Sequence, residues 1–146
     1  MSVSPVCRPA LDGESPALVR IWRRAVEATH DFLTGDDIDG LEVQVRDVVL
    51  PALGLTVATL RDEPVGWIGM HGSHVEALFV DPSAHRRGVG RALLSAAAAF
   101  PLVTVDVNEQ NPSAITFYEA LGFVRAGRSA LDGDGRPFPL VHLRRA

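Results

Sequence analysis

Residues 74–94 read HVEALFVDPSAHRRGVGRALL, and the order of residue types in that stretch decides the fold. Positions 75–80 (VEALFV) are β-branched, aromatic and apolar, the composition of a buried strand. Asp81-Pro82 closes the strand, because proline has no N–H to give a central ladder. A basic loop follows, His85-Arg86-Arg87-Gly88-Val89-Gly90, and Arg91-Ala92-Leu93-Leu94 opens a helix. Strand, glycine-containing basic loop and helix start together make a cradle for a polyanion. Gly88 and Gly90 let successive backbone N–H groups converge without a Cβ in the way, and the helix N-terminus adds partial positive charge. Arg86, Arg87 and Arg91 supply full charges whose planar forks match phosphate oxygens. Read by itself, the stretch is a pyrophosphate site.

Working backward, 65–70 (VGWIGM) and 55–60 (LTVATL) are two more strands, joined by the turns at 71–73 and 61–64 into an antiparallel meander with 75–80. Upstream, Ser15-Pro16 is an N-cap followed by a first-turn proline. Leu18, Ile21, Trp22, Ala25 and Val26 then recur at helical spacing, predicting an amphipathic helix over 15–30. A second helix is expected over 37–50, ended by Pro51, and a short first strand over 3–8. Working forward, the helix after the loop runs through the alanines to Phe100 and breaks at Pro101. Residues 102–107 (LVTVDV) are the next strand. A strand–helix–strand connection of this length implies a parallel pair with a right-handed crossover, so an antiparallel half switches to a parallel half near residue 80. Such switch points are where open sheets splay and hold ligands. Asn111-Pro112 caps a helix over 112–121 that Gly122 terminates, and 123–131 and 137–144 are closing strands around DGDGRP. The class is α/β (α+β): a mixed, mostly antiparallel central sheet of about seven strands with one parallel, splayed pair, and four helices.

With 146 residues and no compositional break, the chain reads as a single domain, 1–146. A net charge of −4 argues against general affinity for nucleic acid, and a basic loop in an acidic chain points to a small anionic ligand. No run approaches the roughly 20 apolar residues of a membrane helix, and residues 1–10 lack the apolar core of a signal peptide. One cysteine, Cys7, excludes an intrachain disulfide and reads as a small strand hydrophobe, so a cytoplasmic location is expected. No Cys/His spacing suggests a metal site.

Taken together, VEALFVDP (75–82), HRRGVGRALL (85–94) and NEQNPSAITFYEALGF (108–123) resemble the GNAT family of acetyl-CoA-dependent N-acetyltransferases. IWRRAVEATHDFL (21–33) and GRPFPL (135–140) extend the resemblance over essentially the whole chain. The loop departs from the family's usual Gln/Arg-x-x-Gly-x-Gly/Ala at its first position, which is His85, while Arg86 and Arg87 keep the charge. The resemblance implies acetyl-CoA as cosubstrate, with main-chain groups of Leu78, Phe79 and Val80 on its pantetheine arm. Arg86, Arg87, Gly88, Val89, Gly90 and Arg91 would lie on its pyrophosphate. Asn111 stands at the family's asparagine position, although capping the following helix explains it as well, and Asn108 is a further candidate facing the cleft.

Acetyl transfer to an amine needs a neutral nucleophile, a polarised carbonyl and a protonated leaving thiolate. A lysine-like ammonium costs about 4.6 kcal/mol to neutralise at pH 7. Glu76, beside the implied thioester, is the candidate base, weighed against an ordinary outward-facing carboxylate. Tyr118 matches the family's tyrosine, the acid that protonates coenzyme sulfur. The reference pKa gap between phenol and thiol is about 1.5 units, roughly 2 kcal/mol, against a plain reading as a core tyrosine. By the same resemblance a backbone N–H near Phe79 would polarise the carbonyl. His30 borders the implied acceptor cleft as a possible substrate contact. The acceptor is an amine on a protein or a small molecule, with no nucleic acid and no membrane involved, in a monomer or homodimer. The other class of reading is an inactive acyl-CoA-binding sensor or interaction protein, against which Tyr118 and Glu76 argue. A nucleotide-binding module lacks its GxxxxGK[ST] loop.

Overall fold

A computed structural model describes residues 3–29 and 33–146. Seven strands form one sheet in the order β1-β2-β3-β4-β5-β7-β6. The strands are β1 (Val6–Pro9), β2 (Gly54–Leu60), β3 (Glu63–His71), β4 (His74–Val80), β5 (Val103–Asn108), β6 (Val124–Ser129) and β7 (Leu140–Arg145). Helix α1 (Ser15–Thr29) buries Leu18, Ile21, Trp22, Ala25 and Val26, the stripe its spacing predicts.

Helix α2 starts at Gly35–Gln44 under a Thr34/Asp37 capping box and runs on through a π turn, Val45–Val49, into a last α turn, Leu50–Ala52. Pro51 lies in this last turn, and the helix ends one residue later, at Ala52. A proline ring clashes with the carbonyl four residues back, and the wider π turn immediately before it makes room. Helix α3 (Val89–Ala97) is shorter than expected: Ala98 leaves the helical region, and Phe100 is exposed. Pro101 disfavours helical backbone in the residue before it, and the departure begins two residues earlier. Helix α4 (Pro112–Ala120) starts at its Asn111 cap.

Two apolar layers sandwich the sheet. Val89, Leu93 and Leu94 of α3 and Ile115 and Tyr118 of α4 cover one face. On the other, α1 and α2 pack Leu18, Trp22, Val26, Ile38 and Leu50 around Val57, Trp67 and Ala77. Trp67 is fully buried, and its Nε1 donates to the Leu18 carbonyl at 3.0 Å, tying α1 to the middle of the sheet.

The expected antiparallel meander is β2-β3-β4. The expected parallel half is narrower than the sequence suggested: β4 and β5 pair in parallel at two positions only, His74↔Thr104 and Val75↔Val105. From β5 onward the pairing is antiparallel again, because β7 inserts between β5 and β6. Beyond Val75 and Val105 the two strands diverge, and that opening positions the site.

Candidate active site

A bulge in β4 sets which of its groups face the opening. Gly69 pairs with Ala77 and Met70 with Val75, so Glu76 has no partner across β3. On the far side of the bulge, Asp81 N donates to Val65 O at 2.7 Å, and Gly66↔Val80 and Trp67↔Phe79 continue the register. Because main-chain groups alternate in direction along an antiparallel strand, those of Phe79 turn toward β3 and those of Leu78 and Val80 face the opening. Of the three β4 residues singled out in the sequence, Leu78 and Val80 thus present an unpaired edge. The Phe79 side chain packs on Trp67, ring centroids 5.4 Å apart.

The opening continues into a cleft of ≈ 1070 Å³ walled by β4, the loop after it, β5 and α4. Asp81 holds the start of the loop: its Oδ1 accepts from Ser83 N and Oγ, and its Oδ2 lies 3.1 Å from Arg24 of α1. Arg86 and Gly88 both have left-handed backbone, φ 63° and 73°. That conformation is strained at an arginine and costless at glycine, and such strain concentrates at ligand clamps. The first bond of α3 runs from Ala92 N to Gly88 O, leaving the N–H groups of Val89, Gly90 and Arg91 without an intrahelical acceptor. Arg86 and Arg91 line the cleft, exposed and without an ion-pair partner among the described residues. Arg87 is exposed but lies outside the lining, while His85 lines the cleft.

Gly90 is required by contact. A Cβ there would stand 2.9 Å from Phe117 Cζ of α4. Gly90→Ala should therefore lower stability by about 1–3 kcal/mol in urea denaturation, as overpacking does, and raise KM for the anionic ligand by displacing Phe117 from beneath the loop. Unchanged stability would mean that the ring yields freely.

Tyr118 lines the cleft with its ring buried, edge-on to Phe117 and Phe123 at 5.1 and 5.2 Å. Its hydroxyl makes no hydrogen bond to a described residue, and burial pushes the phenol well above its ordinary value. The reference pKa gap of about 1.5 units therefore understates what Tyr118 faces as an acid. Asn111 Oδ1 accepts from Ala114 N at 3.2 Å, so its capping role is realised, and the residue also lines the cleft. Asn108 lines it too, its Oδ1 accepting from Gln110 N.

On the wall toward α1, Ala25, Thr29 and Glu76 border the cleft, and the Glu76 carboxylate has no partner among the described residues. His30 lies outside the described residues. Sequence reasoning missed Asp106, which lines the cleft from β5 and anchors a polar chain across four strands. Asp106 Oδ1 lies 2.5 Å from His142 Nδ1, and His142 Nε2 lies 2.6 Å from Ser129 Oγ. Asp106 Oδ2 lies 3.5 Å from His74 Nε2, and His74 Nδ1 lies 2.6 Å from Thr104 Oγ1. The only sequence signal was the polar alternation in LVTVDV, which reads equally as a solvated strand face.

The geometry is that of a splayed strand pair opening onto a basic loop at a helix N-terminus, with a tyrosine and two carboxylates in one cleft. Residues 51–125 match the family described as Acetyltransferase (GNAT) domain. The chain is 46% identical over 132 residues to the peptidyl-lysine N-acetyltransferase YjaB of Salmonella typhimurium, covering 89% of this chain and 90% of that protein. The solution structure of apo YjaB from Escherichia coli superposes with a TM-score of 0.88 at 43% identity over 97% of both chains. The crystal structure of the PaiA N-acetyltransferase of Thermoplasma acidophilum in complex with coenzyme A gives a TM-score of 0.80 over 97% of this chain and 98% of that one. At 15% identity the latter bears on the fold alone.

Proposed function

The chain belongs to the GNAT acetyltransferase family, and from that premise we propose that it moves an acetyl group from acetyl-CoA to the side-chain amine of a protein lysine, by direct attack in a ternary complex. The observation that carries the reading is the two-residue parallel contact of β4 with β5, beyond which the edge of β4, the loop and Tyr118 share one cleft. Lysine as the acceptor rests on the name of the YjaB relative and its 46% identity.

In this reading residues 1–146 act as one transferase domain. An extended pantetheine arm adds to the free edge of β4 as another strand would, hydrogen-bonding the main chain of Leu78 and Val80. The N–H groups at the start of α3, with Arg86 and Arg91, hold the pyrophosphate. Asn108 and Asn111 contact the coenzyme from the opposite wall. The thioester then lies near the bulge, where the Leu78 N–H polarises its carbonyl. An ammonium acceptor must lose one proton before it attacks, and Glu76, beside the thioester, takes it. Nitrogen adds to the carbonyl carbon, the C–S bond breaks, and Tyr118 protonates the departing sulfur. The proton lost by nitrogen on collapse returns to Tyr118, so one proton in all leaves to solvent.

Purified protein should release free thiol from acetyl-CoA with lysine-containing peptides, and mass spectrometry should place the added acetyl on Nε. Acetylation of α-amines or small amines in preference to lysine would overturn the acceptor assignment. Coenzyme binding with no transfer to any amine would favour the sensor reading instead.

A further inference from the structure

Glu76 and Asp106 occupy equivalent places on the two diverging strands. The last parallel pair is Val75↔Val105, so each carboxylate is the first residue beyond the point where the ladder opens. Both line the cleft. Asp106 alternates with the buried Val105 and Val107, which sets it on the sheet face away from α3 and α4. The bulge sets Glu76 on that same face, since the buried Val75 before it points the other way. Two carboxylates therefore flank the vertex from which an amine would approach a thioester lying in the opening.

Their surroundings differ. Glu76 has no hydrogen-bond or ion-pair partner among the described residues. Asp106 is hydrogen-bonded by His142 Nδ1 at 2.5 Å, and His74 Nε2 lies 3.5 Å from its other oxygen. Each ring is in turn held through its second nitrogen, His142 by Ser129 Oγ and His74 by Thr104 Oγ1, both at 2.6 Å. A hydroxyl can donate or accept, so Ser129 Oγ can satisfy His142 Nε2 while Nδ1 donates to the carboxylate. A carboxylate oriented by a donor can offer its remaining lone pairs to a cation.

We propose that Asp106, fixed in place by His142, is the residue that binds the acceptor's ammonium and selects a cationic amine over a neutral one, leaving Glu76 to accept the proton. The assignment rests on the acetyl-transfer reading above and adds a specificity residue that the family resemblance does not supply. His142 acts through Asp106 and is a positioning residue.

The test compares two acceptors with each variant: a lysine peptide, cationic at neutral pH, and an aromatic primary amine, neutral there. Asp106→Asn should raise KM for the lysine peptide about tenfold or more, with kcat and the acetyl-CoA Kd changed less than twofold. KM for the neutral amine should hardly move. His142→Leu, which removes the donor, should shift KM in the same direction by less, and His142→Gln, which can still donate to Asp106, should restore most of it. An equal loss on both acceptors in Asp106→Asn would make the role structural and overturn the proposal, as would a fall in kcat at unchanged KM. A wild-type protein that acetylates the neutral amine but no lysine peptide overturns both the lysine assignment and this one. Normal lysine acetylation by Asp106→Asn overturns this one alone.

Discussion

Tyr118→Phe should lower kcat by about 100-fold or more, within the range that a positioned acid contributes, while coenzyme affinity and stability stay close to wild type. The separation follows from where the ring sits. Its packing against Phe117 and Phe123 uses the aromatic faces and edges, which phenylalanine keeps, and its hydroxyl has no partner among the described residues to lose. Burial that raises the phenol makes it a reluctant acid toward a thiol in water. The leaving thiolate, however, would form in the same cleft, where desolvation raises its basicity as well, so the two groups move together. The hydrogen bond from phenol to sulfur then strengthens as the C–S bond breaks, which is an interaction made in the transition state and absent from the ground state. The pH dependence has a definite sign. A phenol raised above its ordinary value of 10.0 stays protonated through that pH, so no alkaline fall in kcat below pH 10 should trace to Tyr118. Steady-state kinetics of Tyr118→Phe against wild type, with coenzyme titration and a thermal melt alongside, checks all three points. A kcat within threefold of wild type would remove the acid role.

What the sequence made legible is what depends on local chemistry. Gly88, Gly90 and the arginines suggest an anion loop because few other structures need those residues in that order, and Gly88 takes left-handed backbone at the N-cap of α3. Asn111-Pro112 announces a helix start, and the cap forms. The parallel pair was legible from connection length, but not its brevity, since nothing local says that β7 will insert beside β5. The bulge at Glu76 was equally hidden. VEALFV reads as an unbroken strand, and one extra residue reverses which backbone groups face outward, turning Phe79 in and Leu78 and Val80 out. Asp106, His142 and Ser129 are 13 to 36 residues apart and meet only through strand pairing. Each alone reads as a polar residue on a solvated strand face. Pro51 marks the end of α2 to within one residue, but the π turn before it left no local signal.

Trp67→Ala should produce the largest loss of stability among single substitutions considered, about 3–5 kcal/mol for the vacated core volume. Part of that loss separates chemically. The Leu18 carbonyl would lose its indole donor in a buried place, worth about 1–3 kcal/mol, and Trp67→Phe isolates that part by keeping most of the ring volume. Against a typical total of about 5–15 kcal/mol, Trp67→Ala should remain folded at low temperature but with a much lower urea midpoint by circular dichroism. The position also couples stability to the site. The backbone of Trp67 is the register partner of Phe79, and its ring fills the space between α1 and the centre of the sheet. Removing it loosens the wall that carries Ala25, Thr29 and Glu76 while leaving the loop and α4 on the opposite face. Acceptor KM should therefore rise more than acetyl-CoA Kd, measured on the folded fraction. A stability loss under 1 kcal/mol would mean that the core collapses into the space, and equal effects on both ligands would mean that the two walls of the cleft are not independently supported.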